Sequence, residues 1–211
     1  MSDDSGRTII KVMLPAFVAV LFLCSSLAHA SGSDDLALRW PGKRYIWHYN
    51  PENHPTWLSP DDSFKLISQA ASRWQACGVE LRYAGLTTKA PGAMDGTNVV
   101  GWSLEGTDHS AWTSWRARRD GMALEADVTL YSNIYDDDLA RGRDARRELY
   151  KSIVHEFGHV LGLNHSELLQ DAMSVGVKTE PEWILPSLHD ITRCRALHPG
   201  RPPSAHEHRR L

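Results

Sequence analysis

The chain has 211 residues, 42% of them hydrophobic, with eight tryptophans and a formal net charge of −3. That apolar content excludes a disordered chain, and the near balance of charge excludes the basic footprint that nucleic-acid binding requires. Once an N-terminal targeting segment is set aside, the length is that of one domain.

Residues 1–30 read as a secretory signal peptide. Arg7 and Lys11 supply positive charge, and "VMLPAFVAVLFL" at 12–23 is an apolar run. It is shorter than the roughly 20 residues of a membrane span. "AHA" at 28–30 offers small residues around a cut before Ser31. The expected mature chain is secreted or periplasmic, with no stable membrane association; an uncleaved anchor is the alternative. It keeps Cys77 and Cys194, which an oxidising compartment would join in a disulfide closing a very long loop. Two buried thiols remain the alternative.

"RYIWHYN" (44–50) alternates and is rich in aromatics, as a strand requires. "NPENHPTWLSPDD" (50–62) is a loop, after which Ser59 or Asp61 caps a helix over 63–76. Phe64, Ile67, Ala71 and Trp74 recur there at helical spacing, and Gly78 ends it. Further strands are expected at 79–85, 97–104 and 122–133, the last with Ala126, Val128 and Leu130 on one face. "AWTSWRAR" reads as a short strand exposed on one side. "IYDDDLARGRD" (134–144) reads as a solvated loop carrying Asp136, Asp137 and Asp138, with a calcium site as the weaker alternative, since no clear motif supports one. From Asp144, a candidate N-cap, a long helix runs through "ARRELYKSIVHEFGHVLGL" with a buried stripe of Leu149, Ile153, Phe157, Val160 and Leu161. A final helix spans 187–197, and residues 199–211 form a flexible tail. The order implies an α+β domain over 31–198.

The chemistry lies in "HEFGHVLGLNH" (155–165). Residues four apart on a helix share a face, so His155 and His159 can converge on one ion, with Glu156 one position round the helix. His165 joins them only if the chain turns back. Gly162 permits that turn, because without a Cβ it can take the left-handed conformation that ends a helix. Asn164 is compatible with a second unusual backbone angle. Three neutral imidazoles suit one Zn2+ and leave a position for water. The ion acidifies that water and polarises a carbonyl, and Glu156 accepts the proton and later returns it to the leaving amine.

The stretch "HEFGHVLGLNH" resembles the extended zinc signature of the metzincin endopeptidases, and within them the matrixin branch. "QDAMS" places Met173 eight residues after His165, where that family has a methionine turn beneath the zinc. "RWPGKRYIWHYN", "EADVTLY" and "SLHDITRCRAL" occur in the matrixin order, covering most of 39–198. The resemblance implies a metzincin-like zincin fold. That fold has a twisted, mostly parallel sheet with one antiparallel edge strand, two long helices and a C-terminal helix after the methionine turn. Substrate would lie along the edge strand, sought at 110–118, by strand addition.

The sequence also departs from that pattern. Between Ala30 and Trp40 there is no room for the matrixin cysteine-switch propeptide, so control by that device is not expected. Asp108 and His109 read as a solvated turn rather than a remnant of a second zinc site. Trp183 either lines the pocket beyond the scissile bond or packs. His48, His54 and His189 read as ordinary surface or hydrogen-bonded residues, and His198, His206 and His208 as belonging to or bordering the tail. Asp190 matches a family position that supports the active-site region, with a surface carboxylate as the alternative.

The expectation is therefore a monomeric, secreted zinc endopeptidase acting on proteins or peptides. His155, His159 and His165 are the ligands, Glu156 is the catalytic base, and Met173 and Gly162 are supports. A zinc-containing binding or inhibitory module without catalysis is the competing reading, and an amidase of cell-wall peptides a third.

Overall fold

The computed structural model describes residues 38–104, 106, 109–175 and 184–199. The expected signal peptide and the chain beyond 199, together with Asp108, Trp183, His206 and His208, lie outside the described residues.

The alternating segment Arg44–Asn50 forms β1, and its period of two buries Tyr45, Trp47 and Tyr49 on one face. Glu80–Leu86 (β2) and Val99–Ser103 (β3) flank β1 in parallel, setting Trp47 opposite Tyr83 and Tyr49 opposite Val100. Ala123–Tyr131 (β5) runs parallel to β3, and Ala111–Ala117 (β4) pairs antiparallel with β5. The order β2-β1-β3-β5-β4 leaves β4 at an edge of a mostly parallel five-stranded sheet, which is the expected α+β class. Its position at 111–117 agrees with the edge sought at 110–118.

Parallel neighbours need crossover connections, and the helix Pro60–Ser72 (α1) makes the one between β1 and β2. Ser59 caps it by accepting the Asp62 N–H at 3.1 Å, with Pro60 at the first helical position and Asp61 and Asp62 in the first turn. It ends four residues before the expected boundary. A single 3-10 turn at Gln75–Cys77 takes over, and Gly78 follows at φ +85°. Trp74, at the start of that turn, is fully buried, and its indole N–H donates to the Val154 carbonyl at 2.9 Å.

The acidic stretch after β5 is a helix, Ser132–Ala140 (α2), and not the loop expected from its charge. Ser132, Tyr135 and Asp138, three apart, form its buried face. Each acid is engaged: Asp136 accepts the Trp57 indole N–H at 3.0 Å, Asp137 pairs with Arg141 at 3.3 Å, and Asp138 pairs with Arg143. Those pairings give a calcium site no support here.

Asp144 caps the helix Ala145–Val160 (α3), accepting the Arg147 N–H at 3.0 Å. The expected stripe of Leu149, Ile153, Phe157, Val160 and Leu161 is wholly buried. Burying one such side chain contributes about 1.5–3 kcal/mol. A surface pair within a helix, such as Glu148 with Lys151 here, contributes about 0.2–0.5 kcal/mol. Packing therefore sets where α3 lies. Leu188–Leu197 (α4) follows, started by a capping box in which Ser187 and Asp190 exchange hydrogen bonds. Cys77 and Cys194 form a disulfide with Cα atoms 5.4 Å apart, tying the 3-10 turn to α4 across 117 residues.

Candidate metal centre and active site

Helix α3 ends where the sequence places the break. Leu161 is its last capped position, Gly162 takes φ +89°, and the Gly162 N–H returns to the His159 carbonyl at 2.9 Å. A Cβ at Gly162 would also stand 3.0 Å from the Cβ of Leu38 and 3.1 Å from its carbonyl oxygen, so glycine is needed for both conformation and space. Asn164 is not among the residues of positive φ, so one left-handed residue is enough for the reversal. The Asn164 carbonyl is instead held by Arg193 at 2.9 Å.

The reversal brings the three imidazoles together. One ring nitrogen from each of His155, His159 and His165 lies within 4.8 Å of the others, and the Nε2 atoms of His159 and His165 are 3.2 Å apart. The Nδ1–H of His155 donates to the Ala172 carbonyl, and that of His159 to the Leu163 carbonyl, both at 2.8 Å. These bonds fix the tautomer of both rings, with the proton on Nδ1 and Nε2 as the unprotonated nitrogen. Burial pushes the His159 imidazole down to about 4, and burial followed by the neighbouring His109 lowers His165. Both rings are thus neutral near pH 7, the form that ligates a metal. Two nitrogens bound tetrahedrally at about 2.0–2.1 Å from zinc would be separated by about 3.3–3.4 Å. Three neutral imidazoles are a donor set that suits zinc, and the 3.2 Å between His159 and His165 is close to that separation. Among the described residues Cys77, Cys194 and His198 are also closely grouped, but the two sulfurs are bonded to each other.

Glu156 lies outside the triad, buried at 7% exposure beside it. Burial pushes its carboxyl up to about 7, against the lowering effect of its hydrogen bond from Thr113. The Thr113 hydroxyl, reaching in from β4, donates to Glu156 Oε2 at 2.6 Å. Both residues line a cleft of about 610 Å³ that also takes in the three histidines, Trp112 and Trp115 of β4, and Val175. The arrangement offers a place for one divalent cation, a buried carboxylate able to hold or release a proton near neutral pH, and an edge strand along the opening.

Met173 is fully buried beneath α3. A Cβ on Gly158 would overlap its sulfur, so the helix and the turn carrying Met173 touch at a residue with no side chain. That turn is fastened by two buried carboxylates. Asp190, with no exposed surface and so not a surface carboxylate, accepts the N–H groups of Ala172 at 2.7 Å and Ser187 at 3.0 Å. Asp171 receives Ser166 Oγ and Ser187 Oγ at 2.5 Å and His189 Nδ1 at 2.6 Å. Burial alone would raise the Asp171 carboxyl, but those three donors outweigh it and hold it below its ordinary value.

Asp171 and Thr113 were not singled out from the sequence, although period two along "AWTSW" already puts Ala111, Thr113 and Trp115 on one face. His198, which borders the tail, is buried, and its Nε2 donates to the Leu161 carbonyl at 3.0 Å, completing the cap of α3. His109 stacks near Trp112 at 5.4 Å between ring centres and lines the cleft.

Comparison with curated proteins finds no match. Among solved structures, a chain of the "GM1 bound form of the ECX AB5 holotoxin" is similar at 12% identity and a TM-score of 0.48, covering 72% of this chain and 79% of that one. That likeness is too loose to speak to function. Residues 39–198, nearly the whole described domain with its histidine triad, match the family described as Matrixin, and the chain belongs to that family of zinc-dependent endopeptidases.

Proposed function

We propose that the chain is a secreted or periplasmic zinc endopeptidase. It would comprise a signal peptide at 1–30, a catalytic domain at 31–198 and a short tail, and would act as a monomer on proteins or peptides. One observation carries the reading: three histidines converge at a cleft in which a fourth, non-converging group, the Glu156 carboxylate, is buried beside them. A site that only binds zinc needs no such base.

In this reading His155, His159 and His165 hold zinc, and Met173 and Gly162 keep them in place. Bound zinc supplies a Lewis acid that acidifies water and polarises a carbonyl. Glu156 takes the proton of the attacking water at its carboxylate and delivers it to the departing nitrogen as the C–N bond breaks. The substrate main chain extends along the outer edge of β4 by strand addition. The reading is supported by the membership in a peptidase family and by a carboxyl whose burial suits proton transfer near pH 7.

The test is cleavage of an unfolded protein by the purified chain, with chelator, with restored zinc, and with Glu156→Ala. The parent cleaves, chelation stops it, and zinc restores it. Glu156→Ala retains about one zinc per chain and loses about 10²–10⁴-fold in rate. A Glu156→Ala protein as fast as the parent would remove the base from the mechanism, and a parent that binds zinc without cutting would establish a binding module.

A further inference from the structure

From the contact between β4 and α3 we infer that Thr113 is the positioning residue for Glu156, holding its carboxylate in one orientation through both halves of the reaction. The inference rests on the reading of Glu156 as the base.

The two residues are 43 apart in sequence and both buried, Thr113 at 8% and Glu156 at 7% exposure. The Thr113 oxygen is 2.6 Å from Glu156 Oε2 and 3.2 Å from the main-chain oxygen of the same residue. A hydroxyl has one hydrogen to give and two lone pairs to accept with. When Glu156 is ionised, the hydrogen points to Oε2, where the acceptor is charged and the bond stronger. When Glu156 takes the proton of the attacking water it takes it on Oε1, the oxygen that Thr113 does not bind, so Oε2 stays an acceptor and the Thr113 hydroxyl goes on donating to it. In either state the Thr113 hydroxyl keeps its acceptor and Oε2 keeps its donor.

The neighbourhood explains why threonine serves here. Thr113 sits opposite Val128 in the β4–β5 ladder, so its main chain is fixed by the sheet. Its β-branched side chain has few rotamers to lose. Its strand is the sheet edge that borders the cleft, so whatever adds to that edge bears directly on the residue that orients the base.

Thr113→Val keeps the shape and removes the hydroxyl; Thr113→Ser keeps the hydroxyl. In the zinc-loaded full chain Thr113→Val should lower kcat by about 10–100-fold with KM changed less than about 3-fold, as expected for loss of a buried hydrogen bond to a charged group. Thr113→Ser should return kcat to within about 3-fold of the parent. Zinc content stays at the parent's value in both, and a crystal structure of Thr113→Val should show the Glu156 carboxylate rotated while that of Thr113→Ser should not. In a Glu156→Asp background, whose shorter carboxylate does not reach the hydroxyl, Thr113→Val should have little further effect.

A Thr113→Val protein with parental kcat overturns the inference. So does a serine variant as impaired as the valine, or a loss confined to KM, since either assigns Thr113 to packing or substrate contact. Should Thr113→Val fail to fold, Thr113→Ala against Thr113→Ser makes the same comparison. A parent that cleaves nothing would count against the peptidase reading, whereas a cleaving parent matched by Thr113→Val counts against this inference alone.

Discussion

The sulfur of Met173 occupies the space that a side chain on Gly158 would need. Gly158 lies in α3 between Glu156 and His159, and the indole edge of Trp74 closes the same spot at 3.0 Å. An alanine in a helix interior is ordinarily favoured over glycine by about 1 kcal/mol. Overpacking a filled core costs about 1–3 kcal/mol. Here the obstacle is a buried side chain beneath the histidine triad, so overpacking wins. Gly158→Ala is expected to destabilise the fold by up to about 2 kcal/mol, the overpacking cost less the helix gain, and to weaken zinc binding, because the displaced turn carries the Ala172 carbonyl that orients His155. Denaturant unfolding and a zinc titration check both effects. Adding Met173→Ala should recover part of the zinc affinity, and a Gly158→Ala protein with parental stability and affinity would contradict the packing argument.

Much of this arrangement was legible from residue order. The imidazole spacing, the glycine reversal, the period of two in β1, the capping residues Ser59 and Asp144, and the apolar stripe of α3 depend on neighbours within a few residues. The failures share a cause. The acids of α2 read as solvated, yet Asp138 is buried against Arg143 and Tyr135 packs into the core beside it. His198 borders the tail in sequence, yet it caps α3 from 37 residues away. Asp171 carries no local signal, yet it gathers Ser187 and His189 from the far side of the turn that holds Met173. Whether a polar side chain is buried depends on a partner delivered by the fold, and no local pattern announces that partner. Thr113 is the functional instance, since its meaning depends on Glu156 arriving from another element.

The Cys77–Cys194 bond closes a loop of 117 residues, and chain entropy assigns such a long loop an effect near the upper end of the usual range. The native contacts around it do not depend on the sulfur link alone: Arg195 donates to the Ala76 carbonyl at 2.6 Å, and His198 holds the end of α3. Most of the stabilisation therefore comes from restricting the unfolded chain. Replacing both cysteines by serine is expected to lower unfolding stability by about 2–4 kcal/mol while leaving zinc content and low-temperature activity close to the parent. Equilibrium unfolding with and without a dithiol reductant measures it, and the reduced parent should match the double variant. A double variant as stable as the oxidised parent would show that the bridge is energetically idle.

Asp127 gives the fold a pH dependence whose sign is opposite to that of a salt-bridged carboxylate. It lies on β5 at 1% exposure, with Oδ1 accepting the Val99 N–H at 2.8 Å and Oδ2 the Gly92 N–H at 2.7 Å. Burial is the largest influence and raises its carboxyl to about 6; the two N–H groups oppose it, while Glu125 and Asp95 add to the rise. In the unfolded chain the same group titrates near 3.9. Between those values the folded protein binds the extra proton, so this contribution is fully present below about pH 4 and is lost as pH rises through about 6. The full excursion is at most about 3 kcal/mol. Asp127→Asn offers one acceptor for two N–H groups and is less stable throughout, but its amide does not titrate. The parent's advantage over Asp127→Asn should therefore shrink steadily from pH 4 to pH 6 and level off above. Subtracting the two denaturation curves at each pH isolates the effect, because histidine and zinc contributions are common to both proteins. A difference that is flat or grows across that window would mean that Asp127 is ionised in the fold and that its two N–H donors outweigh its burial.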